Sequence, residues 1–358
     1  MPGKLNRREI LSWLRETDEK RLGELWRLAD ETRRQCVGDA VHLRGLVEFS
    51  NHCSRQCWYC GIRAGNGRIG RYRMTAEEII ACAHRAVYLG YGTVVLQSGE
   101  DAKMGAEWMA GIVRRIKKET RLAVTLSLGE RSAEELAFWK DVGADRYLLR
   151  FETSGLALFD KIHPPRGEFP SDRISLLRTI KSLGYETGSG VMIGIPGQTY
   201  ESLADDIILF GELDLDMIGV GPYIAHPDTP LSKAASKMQT ELSWQVPADE
   251  LMTYKTVALA RLVRPTANIP STTALATLNR RNGRELGLSR GANVVMPNIT
   301  PVEYRKKYEI YPAKACLYER EQECQSCLGM RIRALGRTIG TGRGDATGHR
   351  AQEQTLSY

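Results

Sequence analysis

Three cysteines lie in one short segment, Cys53-Ser-Arg-Gln-Cys57-Trp-Tyr-Cys60. Soft thiolate ligands at this spacing suit zinc or an iron–sulfur cluster. A structural zinc ion takes four protein ligands, and His52 is badly placed for that role because adjacent residues rarely reach the same metal. Three thiolates leave one iron of a [4Fe–4S] cubane open for another ligand. Three thiolates therefore suit a catalytic iron–sulfur cluster, with zinc as the alternative.

A second cysteine group, Cys316, Cys324 and Cys327, lies near the C-terminus. Its three thiolates suit an auxiliary [2Fe–2S] or [4Fe–4S] cluster that takes one further ligand from outside the protein. Zinc, or thiols without metal, are the alternatives. The two remaining cysteines, Cys36 and Cys82, stand alone and are expected to be small buried hydrophobic residues.

The composition excludes several classes of protein. The chain has 358 residues, of which 42% are hydrophobic and 26% charged, as in ordinary globular proteins. Its net charge of +7 comes partly from a basic C-terminal stretch, and no basic stripe with interleaved aromatic residues indicates a nucleic-acid partner. No apolar run reaches the roughly 20 residues that cross a bilayer, and the N-terminus lacks the apolar core of a secretory signal. We therefore expect a cytoplasmic protein with neither nucleic-acid nor membrane partners.

The elements that position the cysteines begin with two predicted helices, Arg7–Glu16 and Lys20–Arg34. Strands and helices then alternate, and two of the helices are expected to start at the capping boxes Thr75-Ala-Glu-Glu78 and Ser132-Ala-Glu-Glu135. The predicted strands are short and apolar without alternation, which is typical of parallel strands covered on both faces. They are Arg44–Ser50, Thr93–Ser98, Ala123–Ser127, Arg146–Arg150, Thr187–Ile193, Asp216–Gly221, Asn268–Ser271 and Ala292–Met296.

This alternation predicts an α/β fold, a complete (β/α)8 TIM-type barrel with N-terminal helices and a C-terminal extension. A doubly wound sheet is the alternative. We predict a helical extension over residues 1–40 and the barrel over residues 41–300. A C-terminal segment with the second cysteine group is predicted over residues 301–337, followed by a mobile tail over residues 338–358.

Chemically unusual residues follow nearly every predicted strand. In (β/α)8 barrels the active site lies where the strands end and the next loops begin. We therefore predict that one end of the barrel gathers these residues, with the first cysteine group, into a single site. They are Gln97-Ser98-Gly99-Glu100, Thr125, Arg150, Glu152, the turn Gly194–Gly197, His226, Thr272, Thr273 and Met296.

The cysteine spacing, with an aromatic residue before the last cysteine, resembles the signature of the radical S-adenosylmethionine (SAM) superfamily. In that superfamily SAM chelates the open iron, and one electron from the cluster breaks its sulfonium C–S bond to give a 5′-deoxyadenosyl radical. Gly99-Glu100 resembles the element that receives the SAM ammonium. The segment Gly188–Gly197 is similar to the glycine-rich strand that lies along the adenine and ribose. The resemblance implies a [4Fe–4S] cluster and SAM as cofactors.

Nearly the whole chain further resembles the HydE-type maturases of [FeFe]-hydrogenase. The segments that carry this resemblance include Arg71–Thr75, Val95–Asp101, Asp145–Arg150, His226–Pro230 and Ala292–Asn298. It implies a complete barrel around a long internal cavity. The residues implied to contact SAM are Tyr59, Ser98, Gly99, Glu100, Glu152 and Arg173. The deeper candidate catalytic residues are Thr125, Arg150, Met217, Thr272, Thr273, Met296, Tyr308 and Tyr311.

Some of these residues have simpler interpretations. Met217 and Met296 are also explained by core packing, and Arg150 by a structural ion pair with Glu152. Phe151 stands where family members often carry His, so this position is excluded from proton transfer. His226 is expected to order its loop rather than to bind a ligand.

The resemblance implies assembly of the di-iron subcluster of the [FeFe]-hydrogenase active site. The substrate would be a cysteine-bound Fe(CO)2(CN) synthon from the maturase HydG, and the other partners would be the scaffold GTPase HydF and a one-electron reductant such as ferredoxin or flavodoxin. Some family members carry an auxiliary cluster at the position of the second cysteine group. A related enzyme of the methylornithine synthase type is the alternative, and biotin synthase fits less well because its barrel-interior cysteine ligands are not apparent. A non-enzymatic electron carrier would differ from all of these because it would not cleave SAM.

Overall fold

The computed structural model describes residues 5–165, 170–238, 244–315 and 321–347. Within those ranges the strands are β1 (Ala40–Ser50), β2 (Thr93–Ser98), β3 (Ala123–Ser127), β4 (Arg146–Leu148), β5 (Glu186–Ser189), β6 (Met192–Ile193), β7 (Met217–Ile218), β8 (Gly221–Pro222), β9 (Val294–Val295) and β10 (Thr338–Ile339). The helices are α1 (Arg7–Arg15), α2 (Glu19–Val37), α3 (Ala76–Tyr88), α4 (Ala106–Glu119), α5 (Ala133–Asp141), α6 (Leu156–Ile162), α7 (Arg173–Ser182), α8 (Tyr200–Glu212), α9 (Pro230–Met238), α10 (Glu250–Val263), α11 (Thr273–Leu278), α12 (Gly283–Leu288), α13 (Val302–Arg305) and α14 (Glu321–Ala334). None of these helices is long and apolar enough to cross a lipid bilayer.

The principal sheet is parallel, with neighbours in the order β10-β1-β2-β3-β4-β5-β7 and with β9 also paired to β1. It curves into a half-barrel, and β6 pairs separately with β8. The predicted α/β class is confirmed in this form. Beyond the regular ladders, single parallel bridges join Met217 to Asn268 and Pro270 to Val294. The predicted strand Asn268–Ser271 contributes only such bridges, since Pro270 has no N–H to donate.

The predicted helix starts are confirmed at both capping boxes. The Thr75 side chain accepts a hydrogen bond from Glu78 N–H, while the Glu78 carboxylate accepts one from Thr75 N–H at the start of α3. Ser132 and Glu135 make the same reciprocal pair at the start of α5. Each box satisfies backbone N–H groups that have no partner inside the helix. The helices that follow β1 and β3 and return the chain across the sheet thereby have defined starts.

The segment after Arg337 does not form the mobile tail that the sequence predicts, at least over residues 338–347. Strand β10 pairs with the start of β1, and Ala346 N–H donates to the Glu186 carboxylate at 2.8 Å. Asp345 forms an ion pair with the fully buried Arg146. Buried charges are stable only when they are paired, so these contacts fix the segment at the amino ends of the strands. Residues 348–358 lie outside the described ranges.

Asp206 lies buried on α8 and accepts hydrogen bonds from the backbone N–H (2.5 Å) and hydroxyl (2.6 Å) of Ser154. Burial raises the pKa of Asp206 from 3.8 to about 7. Between these values the folded chain keeps a proton that the unfolded chain releases. The free energy of unfolding is therefore expected to fall as pH rises through this window, by at most about 1.4 kcal/mol per pH unit.

We expect Asp206→Asn to remove this part of the pH dependence, because an amide has no proton to lose. The measurement is the melting temperature of the iron-free protein across this pH window, for the wild type and the variant. The exposed Glu212 at the other end of the same helix, changed to Gln, is the matched control. Parallel pH curves for wild type and Asp206→Asn would show that the buried carboxyl is ionised in the folded chain.

Candidate active site

A cavity of about 340 Å³ lies inside the half-barrel and extends from the first cysteine group to Arg44. The turn Gly194–Gly197 and His226, which the sequence also predicts at this site, are not among its lining residues. The first cysteine group and all of the residues predicted to contact SAM or to lie deeper in the cavity do line it. They are Cys53, Cys57, Tyr59, Cys60, Ser98, Gly99, Glu100, Thr125, Arg150, Glu152, Arg173, Met217, Thr272, Thr273, Met296, Tyr308 and Tyr311. The structure thus brings these residues together, while the role of each stays a prediction.

The structure describes only part of the second cysteine group. Cys316 and the side chain of Cys324 lie outside the described residues. Cys327 is exposed on α14. The auxiliary cluster therefore stays a prediction.

The loop that carries the first cysteine group is held by the guanidinium of Arg71. This group donates hydrogen bonds to the carbonyl oxygens of Asn51 (2.5 Å), Ile62 (2.7 Å), Arg63 (2.6 Å) and Asn66 (3.2 Å). One side chain therefore joins the chain before the first cysteine to the chain after the last. The sequence does not predict this role, because an isolated arginine carries no local signal for it.

The end of β2 passes very close to the cysteine loop at Gly99. A Cβ atom there would lie 2.4 Å from the carbonyl oxygen of His52 and 2.8 Å from the Cβ of Cys53. Any side chain at this position would therefore displace the first cysteine. Gly99 allows the close approach that places Glu100 beside the thiols.

The three thiols sit in surroundings that disfavour free thiolates. Burial raises the pKa of Cys60 to about 12 and raises that of Cys57 even further. Burial also raises the pKa of Cys53. The thiols therefore stay protonated near neutral pH until a metal displaces their protons, as expected of metal ligands in a low-dielectric site.

The arrangement of these thiols fits a cluster better than a single metal ion. Among the described residues, the sulfurs of Cys53, Cys57 and Cys60 do not all lie within 4.8 Å of one another. One tetrahedral zinc ion with Zn–S bonds of about 2.3 Å would need them closer than that. The larger separation suits thiolates on different irons of a [4Fe–4S] cubane.

Beside the thiols lies a network of buried charges that the sequence reasoning largely missed. The Arg55 Nε atom lies 2.6 Å from Glu100, and Arg55 also pairs with Glu130. Arg173 pairs with Glu130 at 2.9 Å and lies 3.7 Å from Glu100. Burial lowers the pKa of His163 to about 3, so this neighbour of Arg173 is neutral. The network holds carboxylates and guanidinium groups side by side, as an amino-acid zwitterion requires.

His163, Glu100 and Glu130 also stand close enough together to hold a metal ion. Both carboxylates, however, are already neutralised by Arg55 and Arg173. A cation would have to displace these guanidinium groups, so the network favours a zwitterionic ligand. Arg55 stands inside the cysteine motif, which is the one sequence signal that could have identified it.

Glu152 has a strained backbone that turns its carboxylate into the cavity. Its φ is 64°, in the left-handed region that non-glycine residues seldom adopt. Its Oε2 atom is buried without a hydrogen-bond partner among the described residues, although Arg150 Nη2 lies 3.1 Å away. The ion pair that the sequence allows is thus present, but it is poorly aligned. An acceptor of this kind is available for ligand hydroxyls.

Deeper in the cavity, several polar atoms lack partners among the described residues. They include the Thr125 hydroxyl and the Arg150 Nε atom. Arg150 also donates to the carbonyl oxygen of Val191, whereas the Thr272 hydroxyl caps α11 by accepting from Leu275 N–H at 3.4 Å. Buried polar groups normally have partners, so the free donors indicate a polar ligand.

The two methionines face the cavity rather than only the core. The Met217 sulfur lies 2.9 Å from a guanidinium nitrogen of Arg44, and Met296 lines the same wall. Tyr308 receives a hydrogen bond from Gln97 at 3.4 Å. Soft thioethers therefore share the space with polar donors.

Two neighbouring residues have local structural roles. Phe151 is buried and packs on Phe210, with ring centroids 5.9 Å apart. His226 orders its loop by accepting a hydrogen bond from Asp228 N–H at 3.1 Å. His226 therefore makes a loop-ordering contact of the kind that the sequence predicts.

The sequence is similar to those of known proteins. Residues 47–210 match the Radical SAM superfamily. The chain is 46% identical over 334 residues to the [FeFe] hydrogenase maturase subunit HydE of Thermotoga maritima, and the match covers 93% of this chain and 92% of that protein. It is 26% identical to 3-methylornithine synthase of Methanosarcina acetivorans, with 89% and 85% covered.

Two solved structures have the same fold. Methylornithine synthase (PylB) superimposes with a TM-score of 0.80 at 24% identity, covering 99% of this chain and 98% of the other. HydG, a maturase of the [FeFe]-hydrogenase, gives a TM-score of 0.78 at 17% identity, covering 99% and 77%. At these identities the superpositions show the fold alone.

Proposed function

The chain belongs to the radical SAM superfamily and, within it, to the HydE family, and on that premise we propose that it matures [FeFe]-hydrogenase by building the di-iron subcluster of its active site. The observation that carries the proposal is the identity of 46% over 93% of the chain. Membership of the superfamily brings a [4Fe–4S] cluster and SAM as cofactors. The convergence of the family's expected site residues on one cavity supports the same function.

In this proposal Cys53, Cys57 and Cys60 hold the [4Fe–4S] cluster. When bound and reduced, the cluster supplies the electron that splits SAM into methionine and the 5′-deoxyadenosyl radical. Glu100 accepts the SAM ammonium and Arg173 donates to its carboxylate. Both residues already sit in a balanced charge network, so SAM replaces part of that network without leaving a buried charge unpaired.

The remaining SAM contacts come from residues around the glycine-rich segment. Glu152 offers its unpartnered oxygen to the ribose hydroxyls. Tyr59, Ser98 and Gly99 line the adjoining wall. These contacts hold the adenosyl group against the deeper part of the cavity and exclude water from the radical.

We propose that the substrate in the deeper part is the cysteine-bound Fe(CO)2(CN) synthon. Cyanide and carboxylate ligands need donors in a dry site, because a buried anion is costly unless it is hydrogen-bonded. The free donors of Thr125 and Arg150 supply such bonds. The other residues proposed to bind it are Thr272, Thr273, Met217, Met296, Tyr308 and Tyr311. HydG would deliver the synthon, HydF would receive the product, and ferredoxin or flavodoxin would supply the electron.

We further propose that the barrel is a complete (β/α)8 barrel, formed by residues 41–300 behind the helical extension 1–40. The single bridges at Asn268 and Pro270 support closure, because they lie between β7 and β9. The second cysteine group, in the segment 301–337, is proposed to hold an auxiliary [2Fe–2S] or [4Fe–4S] cluster. The three thiols of this group support the proposal, because they could serve as ligands of such a cluster.

The function is tested with anaerobically reconstituted protein, SAM, a low-potential reductant and the synthon. We expect 5′-deoxyadenosine to form, and the synthon to be consumed into a di-iron product that activates apo-hydrogenase. Reactions without synthon are the control for uncoupled SAM cleavage. SAM cleavage with no effect on the synthon, together with methylornithine formation from lysine, would assign the chain to the methylornithine synthase type instead.

A further inference from the structure

The cavity wall holds a buried ion pair to which the proposed mechanism gives no role. Glu48 lies on β1, and Lys314 lies in the segment that follows α13. Their side chains are 1% and 4% exposed, and the Lys314 ammonium donates a hydrogen bond to Glu48 Oε1. Both residues line the cavity.

Both partners of this pair retain hydrogen-bonding capacity. Asn298 donates to the second oxygen of Glu48 at 2.8 Å, so each carboxylate oxygen receives one bond and can accept another. Among the described residues, Glu48 is the acceptor found for Lys314, whose ammonium has three donors. The ammonium also lies 5.3 Å from the centre of the Tyr308 ring. An acceptor and donors are therefore side by side and face the cavity.

The charges of the pair restrict the ligand that can use it. A ligand that is only an anion would draw Lys314 away and leave Glu48 unpaired. A ligand that is only a cation would draw Glu48 away and leave Lys314 unpaired. An unpaired buried charge is strongly unfavourable. A ligand with an ammonium and a carboxylate on the same carbon atom exchanges one ion pair for two and leaves no charge unpaired. That combination is the α-amino-acid group.

We propose that Glu48 and Lys314 form a subsite for the α-amino-acid group of the substrate. Lys314 donates to the carboxylate, and Glu48 accepts from the amine N–H groups. The inference rests on the proposed function, in which cysteine is a ligand of the iron substrate. When cysteine nitrogen and oxygen bind iron, the amine is neutral but keeps its N–H groups, and the carboxylate keeps one free oxygen. Glu48 and Lys314 then stay paired with each other and use their remaining hydrogen-bonding capacity for these two contacts.

The subsite also explains how the substrate would be oriented. Glu48 and Lys314 line the same cavity as Arg150, so one ligand can meet all three charged groups. Contact of the amino-acid group with Glu48 and Lys314, and of the diatomic ligands with Arg150, would fix the iron complex at two points. Such two-point attachment limits the poses in which the radical meets the substrate.

The competing interpretation is that the pair only fastens the segment of Lys314 to β1. The double variant Glu48→Gln/Lys314→Met separates these roles, because it removes both charges and leaves no unpaired one behind. If the pair only fastens the segment, every variant that keeps its fold should also keep the wild-type ligand binding. The subsite predicts that discrimination among ligands is lost even in a fully folded double variant.

The test measures ligand affinities by anaerobic calorimetry on the reconstituted enzyme with SAM in excess, so that SAM occupies the open iron. The probes are L-cysteine, cysteamine, which lacks the carboxylate, and 3-mercaptopropionate, which lacks the amine. We expect the wild type to bind L-cysteine at least about tenfold more tightly than either truncated probe.

The Lys314→Met variant should bind L-cysteine and cysteamine with equal affinity. The Glu48→Gln variant should bind L-cysteine and 3-mercaptopropionate with equal affinity. The exposed Lys307, changed to Met, is the matched control and should keep the wild-type pattern.

The outcomes separate this inference from the proposed function. A wild type that binds all three probes equally, or variants that keep its discrimination, would overturn the subsite even if the synthon is converted. If the discrimination among the three probes depends on Glu48 and Lys314 but the enzyme does not convert the synthon, the subsite is supported and the proposed substrate is wrong. Thermal melting of each variant identifies those that have lost the fold. If a single variant has lost it, the double variant, which has no unpaired charge, is compared with the wild type instead.

Discussion

Replacing Cys57 with Ala should abolish reductive cleavage of SAM, and the same loss is expected for Cys53→Ala and Cys60→Ala. The proposed cluster depends on three thiolates, and each replacement leaves only two of them. The buried thiols also bind protons tightly, so each Fe–S bond must offset the cost of displacing a proton, and two such bonds hold the cluster only weakly. Iron content and chromatographic detection of 5′-deoxyadenosine under reducing conditions provide the measurement.

Iron bound elsewhere must be separated from iron at this site. A background in which Cys316, Cys324 and Cys327 are all replaced by Ala removes the proposed auxiliary site from the count. Cys36→Ala, on α2, is the matched control and should keep both iron and activity. Deoxyadenosine formation at the wild-type rate by Cys57→Ala in that background would contradict the assignment of the cluster.

The elements that the sequence predicted best are those with strong local patterns. Strands β2 and β3 have the predicted bounds, because each is a short apolar run between clear turn signals. The two capping boxes fix the starts of α3 and α5 for a similarly local reason. The site residues converge because they follow strands of one parallel sheet, whose carboxyl ends meet at one side.

What the sequence could not predict depends on contacts between distant residues. Glu48 and Lys314 are 266 positions apart, and no local pattern links one to the other. The segment after Arg337 resembles a free tail in composition, yet Arg146 and Glu186 bind it at the amino ends of the strands. Local patterns contain no information about such pairings, because the partner is specified by the tertiary fold.

Arg150→Met should weaken use of the synthon by roughly 10- to 150-fold, which corresponds to the loss of about 1.5–3 kcal/mol from a charge-assisted hydrogen bond. The guanidinium faces the cavity with a free Nε donor, and methionine fills similar volume without donating. The measurement is paired: the KM for the synthon in di-iron product formation, and the Kd for SAM. The exposed Arg178 on α7, changed to Met, is the matched control.

The contact of Arg150 with Glu152, at 3.1 Å, makes the paired measurement decisive. If Arg150 only positions Glu152 for the ribose, Arg150→Met will raise the Kd for SAM and leave the KM for the synthon unchanged. If Arg150 binds the iron complex, the KM for the synthon will rise by much more than the Kd for SAM. Arg150→Lys keeps a charge but loses the forked geometry, so under the second interpretation it should restore only part of the loss. A variant with both constants at wild-type values would show that Arg150 has no role in either binding step.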